Sequence, residues 1–182
     1  MTETLASRLA AVDATDERAL TRFLYYEAET LDDWQFAQWL DFFAEDCLYW
    51  APTQLDRLPR ERAHRISELG TSVYFEETKA QLKQRVDRLL TDQAWGEAPP
   101  SRARHFVTNV RVDKGEGNDE FIVKSNILAY RSMGQRSQDF ITGTRTDRIR
   151  RAGESRWGFE IVERRILFDM STILIKNLSL FY

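Results

Sequence analysis

The chain has 182 residues and a formal net charge of −3, from 26 basic and 29 acidic side chains. This length supports one domain with a buried core, and the near balance of charge argues against a nucleic-acid-binding surface, which needs a clustered basic excess. The chain contains two histidines, His64 and His105, and one cysteine, Cys47. These are too few ligands for a [2Fe–2S] cluster, which takes four Cys or His side chains.

The sequence predicts a flexible extension over residues 1–14 and a single domain over residues 15–182. Residues 1–14 carry charged side chains and lack the apolar run of a signal peptide, so we expect a cytoplasmic protein. No segment approaches the roughly 20 apolar residues of a transmembrane helix, so we expect no membrane partner.

The first part of the chain has helical periodicity. Thr15 is the predicted N-cap of a first helix, whose apolar side chains recur at helical spacing from Leu20 to Leu31. Asp32 and Asp33 indicate the start of a second helix, with its apolar stripe from Phe36 to Phe43.

The next three segments predict a strand, a loop and a helix in turn. The short aromatic run Cys47–Ala51 is typical of a strand. Residues 55–70 are rich in charge and weakly periodic, which indicates a loop. A third helix is predicted over about Tyr74 to Leu90.

After Pro99 and Pro100 the pattern changes to a meander of antiparallel strands. Four segments rich in Val, Ile, Phe, Thr and Tyr are separated by turn-forming residues: Arg104–Val112, Glu120–Arg131, Gln138–Arg150 and Arg156–Phe168. Helices followed by strands predict an α+β domain with the helices packed on one face of the sheet. The apolar tail from Ile173 to Tyr182 is expected to form a last strand or to insert into a partner.

Three local patterns are better explained by structure or chance than by chemistry. Glu61 and His64 have the E-x-x-H spacing of di-iron bundles, but the second motif that such a site needs is missing. Gly115–Gly117 fits a turn between strands, and no phosphate-binding loop is present. An arginine cluster with acids interleaved indicates a solvated strand face or an ion-paired subunit contact: Arg145, Arg148, Arg150, Arg151 and Arg156.

One constellation could carry acid–base chemistry. Glu27 lies near the apolar stripe of the first helix, where burial could raise its pKa and make it a general acid or base. His105, at the start of the first long strand, could pair with it, with Asp46 and Tyr49 nearby. The alternative is structural, with Glu27 at the edge of the stripe and His105 bonded to a neighbouring loop, and it is the favoured interpretation.

Four stretches together resemble the small (β) subunit of bacterial aromatic-ring-hydroxylating dioxygenases, from about residue 20 to the end of the sequence. They are Phe23–Asp32 followed by Phe36, Trp39 and Leu40; Tyr49–Pro52; Ala94–His105, with its W-x-E-x-P-P-S-R-x-R-H string; and Asn177–Phe181, with its N-L-S-x-F string.

The resemblance implies a cone-shaped fold like that of nuclear transport factor 2 (NTF2), in which a strongly curved, mostly antiparallel sheet wraps around N-terminal helices. It implies assembly with a larger α subunit, commonly as an α3β3 hexamer with β–β contacts. In that family the α subunit carries the Rieske [2Fe–2S] cluster and the mononuclear Fe(II). It cis-dihydroxylates aromatic hydrocarbons or aromatic acids with O2, using electrons from NAD(P)H that a reductase and often a ferredoxin deliver.

On this interpretation the chain has no catalytic, cofactor-binding or metal-binding residues. His64, Cys47 and His105 are then structural, with His105 tied to the Ser101–Arg104 turn. Two other functions remain open. One is a cofactor-independent lyase or isomerase of the same fold that uses Glu27 or Asp46 with His105. The other is a module that binds a small aromatic ligand inside the cone, which requires that the interior not be filled by Trp and Phe side chains.

Overall fold

The computed structural model describes residues 12–55, 58, 60, 65–91, 101–117, 119–134, 137–173 and 180–182. The helices in these ranges are α1 (Ala14–Asp32), α2 (Phe36–Trp39) and α3 (Lys79–Leu89), with a 3-10 turn at Leu40–Phe42. The strands are β1 (Phe43–Pro52), β2 (Val73–Thr78), β3 (Arg102–Lys114), β4 (Glu120–Met133), β5 (Ser137–Arg151) and β6 (Phe159–Phe168).

The N-cap of helix α1 is two residues earlier than predicted. Asp13, not Thr15, is the N-cap: its carboxylate accepts a hydrogen bond from the Thr15 amide at 3.2 Å. Asp16 and Glu17 lie in the first turn, where their negative charges interact favourably with the positive end of the helix dipole. The apolar stripe predicted for this helix is confirmed, because Leu20 and Leu31 are both buried.

The predicted second helix is much shorter than its apolar stripe. Helix α1 continues through Asp32, and the chain then turns at Trp34, which has a φ of 57°. The amide of Trp34 donates to the Leu31 carbonyl and that of Gln35 donates to the Thr30 carbonyl, the hydrogen bonds of a Schellman C-cap. Only the single turn of α2 follows, and Phe43 already belongs to β1.

The predicted helix from Tyr74 to Leu90 is wrong in its first third. Val73–Thr78 forms β2, which pairs antiparallel with β1, so that Phe75 lies opposite Ala51. Aromatic and β-branched side chains favour this pairing. The helix starts only after Thr78, whose amide donates to the Gln81 side chain at 2.8 Å.

The six strands form one sheet in the order β2-β1-β6-β5-β4-β3. Strands β1 and β6 are parallel and every other neighbouring pair is antiparallel. All four predicted strands of the meander are confirmed, and three extend beyond their predicted bounds. The last begins at Phe159, because residues 156–158 form the preceding turn.

One face of the sheet and helix α1 enclose an aromatic core. Phe23 on α1 packs against Phe42 and Phe159, with ring centroids 5.2 and 5.9 Å apart. Trp39 is fully buried between Phe43 and Phe181.

The end of the sequence folds into this core of its own domain. Phe181 and Tyr182 are buried and belong to no strand, so for these residues the prediction of a last strand or of insertion into a partner is wrong.

Several predictions fall on residues outside the described ranges. They concern the extension up to residue 11, the Glu61–His64 pair, part of the 55–70 loop, the W-x-E-x-P-P string before Ser101, and Asn177–Ser179. Within the 55–70 segment, Gln54 and Ile66 form an isolated antiparallel bridge. No helix in the described part of the chain is long and apolar enough to cross a membrane.

Candidate functional site

Glu27 points from helix α1 into the centre of the domain and is fully buried. Its Oε1 accepts hydrogen bonds from Trp39 Nε1 at 2.9 Å and from Arg164 Nη1 at 2.5 Å. Its Oε2 accepts from Arg145 Nη1 at 3.0 Å and from Arg164 Nη2 at 3.2 Å. The carboxylate is therefore bonded on both oxygens by groups of the chain itself.

Arg164, on β6, links Glu27 to a second buried carboxylate. Its Nε and Nη2 donate to the two oxygens of Asp147 at 2.8 and 3.0 Å. Arg164 and Asp147 are both fully buried, and Arg145 is 2% exposed. Two carboxylates thus balance two guanidinium groups inside the core, an arrangement we call the Glu27 ion cluster: Glu27, Arg145, Asp147 and Arg164.

The ion cluster fixes the protonation of its members. Burial by itself raises the pKa of Glu27, but the charges of Arg164 and Arg145 and the hydrogen bonds from Arg164 and Trp39 outweigh it and lower the pKa to about 2. Burial likewise works against the charge of Arg164, but Asp147 and Glu27 raise its pKa. The expectation of a raised pKa at Glu27 is therefore wrong, since the carboxylate stays ionised.

Tyr49 ties the end of the described chain to the same cluster. Its hydroxyl donates to the main-chain oxygen of Tyr182 at 2.9 Å and accepts from the Tyr182 amide at 2.7 Å. Arg164 Nη1 also donates to the Tyr182 oxygen, at 3.2 Å. Burial raises the pKa of Tyr49 to about 12, so the phenol keeps its proton.

His105 lies elsewhere, between α1 and the last residues. Its Nδ1 is 2.7 Å from Asp32 Oδ1, and its Nε2 is 2.9 Å from the Phe181 carbonyl oxygen. Asp32 also accepts from the His105 amide and from Arg104 Nη1. His105 is therefore held by Asp32 and Phe181, and the predicted tie to the Ser101–Arg104 turn is wrong because residues 102–114 form a strand.

The predicted Glu27–His105 constellation is not assembled. In the described part of the chain no hydrogen bond or ion pair joins Glu27 to His105, and both have other partners. Asp46 is on the surface, with 64% of its side chain exposed, and pairs with Arg150. Tyr49 is linked to Glu27 through the Tyr182 oxygen and Arg164. The structural interpretation is the one that the geometry supports.

The arginine cluster divides between the core and the surface. Arg145 is buried in the Glu27 ion cluster, so the expectation of a solvated face is wrong at this position. Arg148, Arg150 and Arg151 are partly exposed and pair with acids of the same chain. Strand parity explains the difference between Arg145 and the pair Arg148 and Arg150, because Arg145 shares the inward side of β5 with Ile141 and Ile149. Arg151 has the same parity as Arg145 but is the last residue of the strand.

Sequence reasoning missed Asp147, Arg164 and Asp32 as structural polar groups. The available signal for Asp147 was its spacing, because Ile141, Arg145, Asp147 and Ile149 all occupy alternate positions of one strand. Charged side chains on the inward side of a strand predict buried partners of opposite charge. Nothing in the local pattern identifies that partner as Glu27, which is 118 residues from Arg145.

An apolar cleft of about 210 Å3 lies at the end of the core where His105 is found. Leu31, Trp34 and Phe36 line it on the helix side, together with Phe181. The indole of Trp34 donates to the Ser101 carbonyl at 3.0 Å. The centre of the cone itself is filled by Trp39, Phe43 and other aromatic side chains, contrary to what a ligand-binding module requires.

The described residues do not fit an iron or iron–sulfur centre. No group of three or more His, Cys, Asp or Glu side chains among them is arranged to hold a metal ion. Both nitrogens of His105 already face protein oxygens. Burial raises the pKa of the Cys47 thiol to about 11, with Asp46 and Glu45 adding to the rise, whereas iron–sulfur clusters bind thiolates.

Comparison with known proteins identifies the family. Residues 26–175 match a family model described as the ring hydroxylating beta subunit. The chain is 36% identical over 181 residues to the biphenyl 2,3-dioxygenase subunit beta of Rhodococcus jostii strain RHA1, covering 100% of this chain and 96% of that relative. The chain belongs to the ring-hydroxylating dioxygenase β-subunit family. The resemblance found in the sequence motifs is thereby confirmed.

Solved structures show the same fold for this β subunit. A chain of naphthalene 1,2-dioxygenase with indole bound in its active site superposes with a TM-score of 0.82 at 22% identity, covering 100% of this chain and 95% of that one. The beta subunit of benzoate 1,2-dioxygenase from Burkholderia mallei gives 0.64 at 21% identity, covering 93% of each chain. The predicted α+β, NTF2-like fold with a curved, open sheet around the N-terminal helices is confirmed.

Proposed function

We propose that this β subunit is the non-catalytic, structural component of a ring-hydroxylating dioxygenase and that it assembles with a large α subunit. The α subunit would hold the Rieske [2Fe–2S] cluster and the mononuclear Fe(II), which supply the O2 and redox chemistry. Reductase and ferredoxin would deliver electrons from NAD(P)H to the α subunit. The family match over residues 26–175 supports this proposal.

The observation that carries the non-catalytic role is the Glu27 ion cluster. Glu27, the acid that could have done chemistry, has both oxygens bonded by Arg145, Arg164 and Trp39 and is fully buried. A general acid or base needs a proton that exchanges near the working pH and access to a substrate. Glu27 has neither, because its pKa is about 2 and no solvent reaches it.

The buried polar residues of this chain stabilise the fold of the subunit. The ion cluster joins helix α1 to strands β5 and β6, and the Tyr49–Tyr182 bonds secure the last residues against β1. A rigid subunit of this kind can position a partner without contributing a reacting group. We assign it no step in the oxidation itself.

The finer features of the assembly belong to the same proposal. An α3β3 hexamer with β–β contacts, a cytoplasmic location, a flexible 1–14 extension and a single 15–182 domain are the arrangement we favour. The free, buried Cys47 fits a reducing compartment. The 36% identity to a biphenyl 2,3-dioxygenase subunit supports aromatic hydrocarbons as the substrate class, ahead of aromatic acids.

Co-expression with the large oxygenase subunit of the same organism tests the proposal. We expect the two chains to elute together in size-exclusion chromatography. The complex should contain iron and should take up O2 with an arene when reductase, ferredoxin and NAD(P)H are supplied. The chain purified alone should contain no stoichiometric iron. Iron bound one-to-one by the isolated chain, or an active large subunit that never associates with it, would overturn the proposal.

The lyase or isomerase alternative has less support. It requires Glu27 or Asp46 within reach of His105, and these three residues have separate partners in the described structure. The matched test is His105→Gln in the assembled oxygenase. If that variant keeps its large subunit bound and its oxidation rate unchanged, His105 has no chemical role there.

A further inference from the structure

The outer face of strands β3, β4 and β5, opposite the helices, carries an unusual set of side chains. Register places fifteen of them in five cross-strand rows of three. The rows are Arg102–Ser132–Gln138, Arg104–Tyr130–Phe140, Phe106–Leu128–Thr142, Thr108–Asn126–Thr144 and Arg111–Lys124–Thr146. We call this set the β3–β5 outer face.

Apolar side chains are concentrated at one end of this face. Phe106 is 52% exposed, Phe140 is 61% exposed and Leu128 is 37% exposed. Phe106 lies directly opposite Leu128, and Tyr130 lies between Arg104 and Phe140. Side chains opposite each other on neighbouring strands are in contact range, so the four form one continuous patch. Patches of exposed large apolar side chains mark interaction sites.

Basic side chains predominate on the β3–β5 outer face. Its fifteen residues include four basic side chains and no acidic one, although the whole chain carries a net charge of −3. The next row of the same strands, Asp113–Ile122–Arg148, adds one acid and one base. Arg104 pairs with Asp32 at the edge of the sheet. The side chains of Arg102, Arg111 and Lys124 make no ion pair or hydrogen bond within the described structure.

The unpaired cations border a concave polar surface. A cleft of about 620 Å3 is lined by Arg111 and Lys124 together with Asn126, Thr144 and Thr146. It lies beside the point where β3 departs from regular pairing, between Thr108 and Arg111, and where Asn109 has a φ of 53°. A β-bulge of this kind redirects side chains and protects a strand from edge-to-edge association.

We propose that the β3–β5 outer face docks the large subunit, with apolar side chains over Phe106 and Phe140 and acidic side chains in the Arg111–Lys124 cleft. This inference rests on the proposed assembly with a large subunit. A second copy of this chain is disfavoured, because a symmetric pair of these faces would bring cations against cations. A partner with an apolar centre and an acidic rim complements both features.

The test compares variants of this face in the complex with the large subunit. Phe106→Ser combined with Phe140→Ser removes the apolar patch, and Arg111→Glu combined with Lys124→Glu reverses the charge at the cleft. We expect each pair to weaken binding to the large subunit by roughly tenfold or more. Wild-type association should slow as salt rises. Association of the charge-reversed variant should instead become faster with salt, because salt screens the repulsion between like charges.

Matched controls lie on the helices. Tyr25→Ser removes an aromatic side chain that is 50% exposed on α1, close to the 52% of Phe106. Arg18→Glu combined with Arg88→Glu makes the same charge change on α1 and α3. Both controls should bind the large subunit like wild type. Circular dichroism of each free variant confirms that it is folded before binding is compared.

Hydrogen exchange provides the second measurement and separates the possible failures. Peptides from 102–111 and 138–146 should exchange more slowly in the complex than in the free chain, whose own exchange should not depend on its concentration. If wild type binds the large subunit but these peptides stay unprotected, or the face variants bind normally, the docking face is wrong while the proposed function stands. Protection of this face in the free chain at high concentration would assign it to a second copy. Absence of binding by wild type would overturn both proposals.

Discussion

A buried carboxylate is stable only where donors or cations compensate for the loss of water. Glu27 has three such partners, Trp39, Arg145 and Arg164, each from a different part of the chain. This explains why a residue on the apolar stripe of an amphipathic helix is acidic. The same position without these partners would be expected to carry an apolar side chain or to be a site of chemistry.

Glu27→Gln should destabilise the chain strongly. The substitution keeps the shape of the side chain but leaves Arg145 and Arg164 with only Asp147 as an anionic partner. Removing one member of a buried ion pair costs about 3–5 kcal/mol, and we expect a loss of that size in the free energy of unfolding, measured with urea. Glu29→Gln, on the exposed side of the same helix, should change it by less than about 0.5 kcal/mol. Equal effects of the two substitutions would contradict the structural role of Glu27.

The contribution of Glu27 to stability should depend on pH. Its folded-state pKa of about 2 lies below the ordinary value of 4.5, so its stabilisation is complete above about pH 4.5 and is lost as pH falls towards 2. A shift of this size corresponds to about 3 kcal/mol. The difference in unfolding free energy between wild type and Glu27→Gln should therefore narrow by that amount between about pH 6 and pH 2. A constant difference across this range would show that folding does not lower the pKa of Glu27.

Cys47 should be unreactive while the chain is folded. It is 3% exposed, and burial raises its pKa from 9.0 to about 11, which lowers the thiolate fraction near pH 8 roughly a hundredfold. Ellman's reagent should label it at least that much more slowly in the native protein than in urea. Similar rates in both conditions would mean that β1 opens readily in solution.

At the scale of elements, the helices and strands predicted correctly are those whose apolar side chains follow one spacing, helical or alternating, throughout the segment. Helix α1 and strands β3–β6 have long, unmixed patterns. Residues 73–89 combine a strand and a helix of apolar side chains with no Gly or Pro between them, and only the Thr78–Gln81 cap marks the change. Turns formed without glycine, such as that at Trp34, leave little trace in a sequence.

The final residues act as an interior element, and Phe181 is their main apolar anchor. It stacks on Trp39 with ring centroids 4.3 Å apart and lies 4.5 Å from the Arg85 guanidinium. Phe181→Ala should cost about 3–5 kcal/mol of unfolding free energy, the range for buried Phe truncations.

Phe140→Ala is the control for this truncation because Phe140 is 61% exposed. In the free chain it should change the unfolding free energy by less than about 0.5 kcal/mol. A small effect of Phe181→Ala as well would show that the last residues do not stay in the core.

At the scale of the whole molecule, the sheet is joined by strand pairs that are distant in sequence. Strand β1 pairs in parallel with β6, so that Tyr49 lies opposite Arg164. The Glu27 ion cluster then fastens helix α1 to this part of the sheet. The described core is built from apolar side chains of the chain itself.

Metal removal should therefore affect the proposed large subunit but not this chain. A strong iron chelator should abolish arene oxidation by the assembled oxygenase. The thermal unfolding midpoint of the free β subunit should not change, because no described residue cluster in it is arranged for a metal. A chelator-dependent fall in the midpoint of the free chain would contradict this prediction. The assembled complex before and after chelation serves as the positive control.

The sequence by itself determined the α+β class, the four-strand meander, the buried stripe of helix α1 and the family. These follow from local periodicity and from motifs read along the chain, and two histidines and one cysteine already set a limit on metal binding. Only the tertiary structure decided what the polar candidates do. It placed Glu27 against Arg145 and Arg164, moved His105 to Asp32 and folded Tyr182 inward. Local patterns specify which face of an element is buried, but they do not specify which distant residue it meets. Charge pairing in a core depends on which distant residues come into contact, and strand order and register decide that.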